Sequence, residues 1–187
     1  MTLDELGILN GTDKASVWAG EPRIIQGYPH RYLPFYEQFL APLRYEPLTL
    51  LEFGVERGAS LKMWRDYFLK ARIIGVDKNP VFDVGERIEV VQSNQHNRED
   101  LERISGKYGM FDIVIDDAGH DPDAQIFCFE YMVQQVKPGG FYILEDVAEN
   151  EKVILYLCKI SANVMTSQAP MIDSISFSYG TTVIKRR

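Results

Sequence analysis

Cysteine, basic charge and long apolar runs are all scarce in this sequence, and each scarcity removes a class of protein. Only two cysteines occur among 187 residues, Cys128 and Cys158, each in an apolar context. Their spacing suits neither a zinc site nor a disulfide framework, so both are expected to be buried thiols of a cytoplasmic protein. No apolar run approaches the roughly 20 residues of a membrane-spanning helix, which argues against membrane insertion. The start, Met1-Thr2-Leu3-Asp4-Glu5, is acidic and lacks the basic residues and apolar core of a secretory leader. Net charge is -7, and the one basic cluster is Lys185-Arg186-Arg187. Nucleic acid normally demands a basic surface, so a small-molecule partner is expected instead. Internal repeats and low-complexity stretches are missing too, and the length suits one domain over 1–187.

What is present is alternation. From about residue 48, short β-branched runs alternate with amphipathic stretches, as in a parallel sheet covered by helices. Strands are predicted at Leu48–Val55, Arg72–Asp77, Ile88–Gln92, Phe111–Asp117 and Phe141–Asp146, with helices at Ser60–Leu69, Arg98–Tyr108 and Asp123–Val136. Lys137-Pro138-Gly139-Gly140 reads as a sharp stop and turn into the fifth strand. After a helix at Glu149–Met165, Ser174–Tyr179 and Thr181–Lys185 flank Gly180 and predict a hairpin, not another crossover. Residues 1–47 are too short for a second domain. They are expected to form a helical lid over the cleft or a contact with another subunit, with the aromatic run Tyr28–Tyr36 at its centre.

Glu52-x-Gly54-x-x-x-Gly58 follows the first strand and precedes a helix, the context of a nucleotide-binding turn. It is not the dinucleotide fingerprint, because Glu56 and Ala59 stand at the second and third glycine positions. An acidic Glu56 repels phosphate at the helix N-terminus, whereas it tolerates the sulfonium and ammonium of S-adenosylmethionine. The absence of Gly-Lys-Ser/Thr excludes a P-loop. Asp77 ends the second strand, where a carboxylate can accept both ribose hydroxyls. Ser93, Asn94 and Gln95 follow the third strand and can meet an adenine edge. Plain turn glycines and a strand-ending aspartate are the alternative for each feature taken alone.

Asp116, Asp117 and His120 follow the fourth strand, and Glu145-Asp146 ends the fifth. In an open parallel sheet, ligands sit at the carboxyl ends of strands near the switch point. Four carboxylates and one histidine on one rim cost several kcal/mol unless a cation or proton compensates. Oxygen ligands without cysteine favour magnesium, manganese or calcium over zinc. A metal on Asp117, Glu145 and Asp146 can chelate two adjacent substrate hydroxyls, with His120 as general base. The competing reading makes Asp117 a helix cap, although Asp121 is equally placed for that task, and His120 a structural residue.

At this point the motifs form a recognisable set. Gly11-Thr12-Asp13-Lys14, His30-x-Tyr32, Leu51-Glu52-Phe53-Gly54-Val55, Ser60–Phe68, Ile74-Gly75-Val76-Asp77, Asp-Asp-x-x-His and Leu144-Glu145-Asp146 occur in order. From about residue 11 to the end, the sequence resembles the macrocin and mycinamicin type of sugar O-methyltransferases, and more distantly the cephalosporin hydroxylase-like methyltransferases. The resemblance implies a Rossmann-like class I methyltransferase fold: a mostly parallel seven-stranded sheet with a terminal antiparallel hairpin and helices on both faces. It implies a magnesium-dependent transfer from S-adenosylmethionine to a sugar hydroxyl of a glycoside, natural product or surface glycan, and a homo-oligomer. By position, Asp117, Glu145 and Asp146 match the metal ligands, and His120 with Asp117 the catalytic residues. Thr12, Glu52, Gly54, Val55, Glu56, Gly58 and Asp77 match the donor contacts. Ser60, Ser93, Asn94, Gln95 and Asp116 are placed with them.

Two departures stand out. Ala118-Gly119 replaces the usual Gly-Ser, and Val147–Glu151 leads quickly into a helix where the family carries a longer aromatic insertion. Three other readings share parts of the pattern: a metal-dependent methyltransferase of catechol-like diols, a non-catalytic binding or assembly protein, and a nicotinamide-dependent oxidoreductase.

Overall fold

The computed structural model describes residues 1–17, 29–80 and 84–187; the side chain of Glu149 is not among them, and Tyr28 of the aromatic run lies outside them. Seven strands form one sheet in the order β3-β2-β1-β4-β5-β7-β6. They are β1 (Thr49–Phe53), β2 (Arg72–Asp77), β3 (Ile88–Gln92), β4 (Phe111–Asp116), β5 (Val136–Leu144), β6 (Ile172–Ser178) and β7 (Thr181–Arg186). The first five pair in parallel, and β7 inserts antiparallel between β5 and β6. The expected hairpin is present, and β7 alone opposes the direction of the others. Chain order reverses between β1 and β4, which sets the switch point there.

Strand periodicity explains how the sheet is covered on both faces. Successive side chains point to opposite sides, so Leu50, Ile73, Ile113 and Ile143 enter one core, and Leu51, Ile74, Val114 and Leu144 the other. The first core is closed by α1 (Leu3–Asn10), α2 (Leu33–Leu40) and α3 (Ala59–Tyr67), the second by α4 (Arg98–Tyr108), α5 (Pro122–Met132) and α6 (Glu151–Met165). Leu3, Leu33, Tyr36 and Leu40 have no exposed surface, so α1 and α2 are built into the first core. A reciprocal Thr2–Glu5 capping box starts α1. Among the described residues no helix is long and apolar enough to cross a membrane.

Three sequence expectations need correction. Lys137-Pro138-Gly139-Gly140 lies inside β5, not before it. Pairing jumps from Phe111↔Val136 to Ile113↔Phe141, so the extra residues bulge out of the ladder. A Cβ on Gly140 would stand 2.5 Å from the Asp112 carbonyl oxygen, which explains why glycine occupies the bulge. The helix expected over Asp123–Val136 stops at Met132 and tightens into a 3₁₀ turn over Val133–Gln135. Cys128 is buried as expected, but Cys158 is exposed because it lies on the outer face of α6.

At the outer edge of the sheet, Glu89 of β3 accepts from Lys107 Nζ at 2.6 Å, Tyr108 Oη at 2.7 Å and Arg72 Nη2 at 2.8 Å. These donors, Lys107 first, lower its pKa from 4.5 to about 2. The folded value lies below the unfolded one, so this stabilisation is complete above the unfolded pKa and vanishes as pH falls through about 2. Glu89→Gln is expected to lower stability at neutral pH by less than about 1 kcal/mol, because solvent screens this edge. Denaturant titrations at pH 7 and below pH 2 should show that difference at the first pH only.

Candidate active site

The C-terminal ends of β1, β2, β3, β4 and β5 open into a cavity of about 1100 Å³. On the β1 side, Gly54 adopts φ 88°. A Cβ there would lie 1.9 Å from the Asp117 carbonyl oxygen and 2.9 Å from Ala118 Cα. The loops after β1 and β4 therefore touch backbone to backbone. Asp77 Oδ2 accepts from the amides of Val55 (2.9 Å) and Glu56 (3.3 Å), and its Oδ1 accepts from Asn79 N (2.7 Å). Asp77 thus holds the loop in shape while still lining the cavity, with carboxylate lone pairs to spare.

Gly54, Glu56, Asp77, Ser93, Asn94 and Gln95 all reach this cavity, as expected of donor contacts. Ser93 Oγ and Gln95 Oε1 are buried without a hydrogen-bond partner. Such atoms are costly unless a ligand satisfies them. Asn94 is occupied differently: its amide donates to Asp100 Oδ2 at 2.8 Å, and its Oδ1 accepts from His96 N at 3.0 Å.

Other expected donor contacts lie elsewhere. Thr12, Val55 and Ser60 line a smaller neighbouring cavity of about 120 Å³, which shares Gly54, Glu56 and Asp117 with the large one. Gly58, at φ 75°, starts α3 and touches neither cavity. Glu52 is fully buried, with Oε2 accepting from Ser60 Oγ at 2.9 Å. Asp116 points into the second core and takes a 2.8 Å hydrogen bond from Tyr142 Oη. Burial raises its pKa to about 7. As the last residue of β4 it keeps the strand's alternation, whereas Asp117 beyond the strand end turns to the cavity.

Asp117, His120 and Asp146 line the same cavity together with His30 and Tyr32. Asp121 caps α5 by accepting from Ala124 N at 2.9 Å, which leaves Asp117 free of that task. Asp146 adopts the left-handed conformation (φ 54°), strained for an aspartate. Tyr32 Oη donates to its Oδ1 at 2.7 Å. His30 Nδ1 stands 3.5 Å from Oδ1, and His120 Nδ1 3.6 Å from Oδ2. These histidine distances are longer than hydrogen bonds. His120 is 65% exposed, so its ring is open to a ligand.

Behind this rim stands Lys14, only 1% exposed. Its ammonium pairs with Asp117 Oδ2, with Glu145 Oε2 at 2.8 Å and with Glu52 Oε1 at 3.6 Å. Burial alone would lower the Lys14 pKa, but Asp117, Glu145 and Glu52 together raise it, so it stays charged. Burial pushes Glu52 up to about 7 and Glu145 upward too, both opposed by Lys14. Glu145 Oε1 and Glu52 Oε1 have no hydrogen-bond partner. Among the described residues, no three His, Cys, Asp or Glu side chains are gathered as a metal-holding group: Lys14 holds Asp117 and Glu145, while Asp146 turns to Tyr32. Sequence reasoning saw Lys14, His30 and Tyr32 only as parts of motifs. Nothing local links residue 14 to partners 103 and 131 positions away.

A sheet of this order with an antiparallel β7 is the class I methyltransferase fold. Superposition on the MycE methyltransferase of the mycinamycin biosynthetic pathway, solved with Mg, SAH and mycinamycin VI, covers 100% of this chain and 54% of that one, with TM-score 0.84 and 27% identity. No protein-family model matches. Among curated proteins, the chain is 37% identical over 153 residues to 8-demethyl-8-(2-methoxy-alpha-L-rhamnosyl)-tetracenomycin-C 3'-O-methyltransferase of Streptomyces olivaceus, covering 78% of this chain and 36% of that protein. It is 36% identical over 129 residues to mycinamicin VI 2''-O-methyltransferase of Micromonospora griseorubida, covering 65% and 32%. The chain thus spans about a third of the length of the curated relatives it matches. The resemblance to sugar O-methyltransferases of natural-product pathways, expected from the motifs, is borne out.

Proposed function

We propose that this chain carries an S-adenosylmethionine-dependent, magnesium-dependent O-methyltransferase activity toward a sugar hydroxyl of a small glycoside. One observation carries the reading: a single cavity joins the Gly54–Asp77 loop pair and the unpartnered Ser93 and Gln95 oxygens to the Asp117–His120–Asp146 rim. The donor belongs against the first group, with the acceptor hydroxyl between its methyl group and His120. Attack by the hydroxyl oxygen on the methyl carbon breaks the sulfonium bond and leaves a neutral thioether; the hydroxyl proton goes to His120. Asp146 Oδ2 stands 3.6 Å from His120 Nδ1, the side from which a carboxylate can orient a general base. Holding donor and acceptor in line supplies much of the rate.

The three carboxylates have the ligand chemistry of a hard divalent cation, although in this structure Lys14 holds two of them and they are not gathered around one point. Asp117, Glu145 and Asp146 offer oxygen only, and Glu145 Oε1 is a buried acceptor without a partner. Magnesium bound there supplies Lewis-acid polarisation of the acceptor hydroxyl. A homo-oligomer in the cytoplasm completes the reading.

Methyl transfer from radiolabelled donor to a panel of deoxysugar glycosides tests the proposal. Turnover is expected to vanish in chelator and return with magnesium. Undiminished turnover in chelator would refute the metal role, and turnover of catechols without any sugar turnover would replace the acceptor class.

A further inference from the structure

Among the described residues, Tyr179 is the large apolar side chain with the most exposure, 87%. It occupies the tip of the β6–β7 hairpin, where Ser178 pairs with Thr181 around Tyr179 and Gly180. The turn beneath it is anchored. Gly180 O accepts from Val147 N at 3.0 Å, and a Cβ on Gly180 would lie 2.5 Å from the hydroxyl of the buried Tyr32. Thr181 Oγ1 donates to Leu144 O at 3.0 Å and shares a 2.8 Å hydrogen bond with Tyr36 Oη. A rigid support therefore holds an exposed ring, and that ring lines the large cavity together with Ala148, Asp146 and His30. Ligand cavities join aromatic walls to a few placed polar groups, and their usual span is about 300–1,000 Å³. At about 1100 Å³ this cavity has room for an acceptor beside the donor. A pyranose is itself two-sided: its C–H face packs on an aromatic ring, and its rim of hydroxyls needs hydrogen-bond acceptors.

We propose that Tyr179 is a specificity-determining residue for the acceptor: its ring receives the C–H face of the sugar while Asp146 and His30 meet the hydroxyl rim. The inference rests on the sugar-methylation reading above. It asks nothing of the donor contacts, and a ring so exposed adds nothing to either core.

Steady-state kinetics at saturating donor test this, using the deoxysugar glycoside that wild type methylates best, with calorimetric titration of S-adenosylhomocysteine alongside. Tyr179→Ala is expected to raise the acceptor KM about 3–10-fold, the worth of one aromatic contact. Its kcat and S-adenosylhomocysteine affinity should stay within about twofold of wild type, the signature of lost uniform binding. Tyr179→Phe keeps the ring and is expected to restore the wild-type KM. Phe177→Ala is the control, an exposed aromatic of the same hairpin that does not line the cavity. An unchanged acceptor KM in Tyr179→Ala, or a loss that falls on donor affinity, overturns the inference. So does Tyr179→Phe behaving like Tyr179→Ala, which assigns the effect to the hydroxyl, or an equal rise in Phe177→Ala, which assigns it to the hairpin as a whole. A wild-type chain that methylates no glycoside overturns the sugar reading and the inference together.

Discussion

His120→Ala is expected to lower kcat by about 10²–10⁴-fold, the span of a lost general base, while affinity for S-adenosylhomocysteine stays unchanged. The imidazole sits in the loop between β4 and α5, 65% exposed, and belongs to neither core. Its removal therefore creates no cavity, and stability should stay within about 0.5 kcal/mol of wild type. The loss should fall on the chemical step, because in the proposed reading His120 takes the acceptor proton and makes no donor contact. Steady-state kinetics with saturating donor, together with calorimetric titration, separates the two terms. A loss confined to donor affinity, or a variant of full activity, would remove His120 from the reaction.

Gly54→Ala is expected to be the most damaging substitution in the donor half. An alanine at φ 88° already pays about 1–2 kcal/mol for the left-handed conformation. Beyond that, its Cβ would meet backbone atoms, the Asp117 carbonyl at 1.9 Å and Ala118 Cα at 2.9 Å, which no rotamer change can clear. The loop after β4 must move, and it carries both Asp117 and His120. The total is expected near 3 kcal/mol, the upper end of ordinary single substitutions, with donor binding weakened by at least about 100-fold, or roughly 2.7 kcal/mol. Gly11→Ala is the control: Gly11 has φ 73° but open space where a Cβ would stand. It should lose only the conformational term of about 1–2 kcal/mol and keep donor affinity. Equal behaviour of the two variants in denaturant titration and calorimetry would show that the contact between the two loops is unimportant.

Much of this molecule is legible in its sequence. Three of the five parallel strands were placed to within a residue at each end, because β-branched alternation is a local signal. Asp121 stood beside Asp117 as a possible cap of α5 and the structure decides for it, whereas the hairpin followed from two β runs about Gly180. Part of the cavity lining is readable too, since Gly54, Asp77 and Ser93–Gln95 stand at or after strand ends, where a doubly wound sheet gathers ligands. The errors have local causes too. Pro138-Gly139-Gly140 is as good a bulge as a turn, and only the partner strand β4 decides between them. Cys158 has apolar neighbours along the chain, yet helical rotation carries it to the outer face of α6.

By itself, then, the sequence determined the alternating sheet, its two covered faces, the terminal hairpin and the rim on which carboxylates and a histidine collect. Each of these follows from periodicities of 2 and 3.6 residues and from turn chemistry, which act between neighbours. The tertiary structure alone decided which carboxylates face the cavity: Asp117 does, while Asp116 turns to Tyr142. It alone brought Lys14 among Glu52, Asp117 and Glu145, and Tyr32 onto Asp146. Those contacts join residues distant in the sequence, up to 131 positions apart, and a buried ammonium finds its partners through the path of the whole chain.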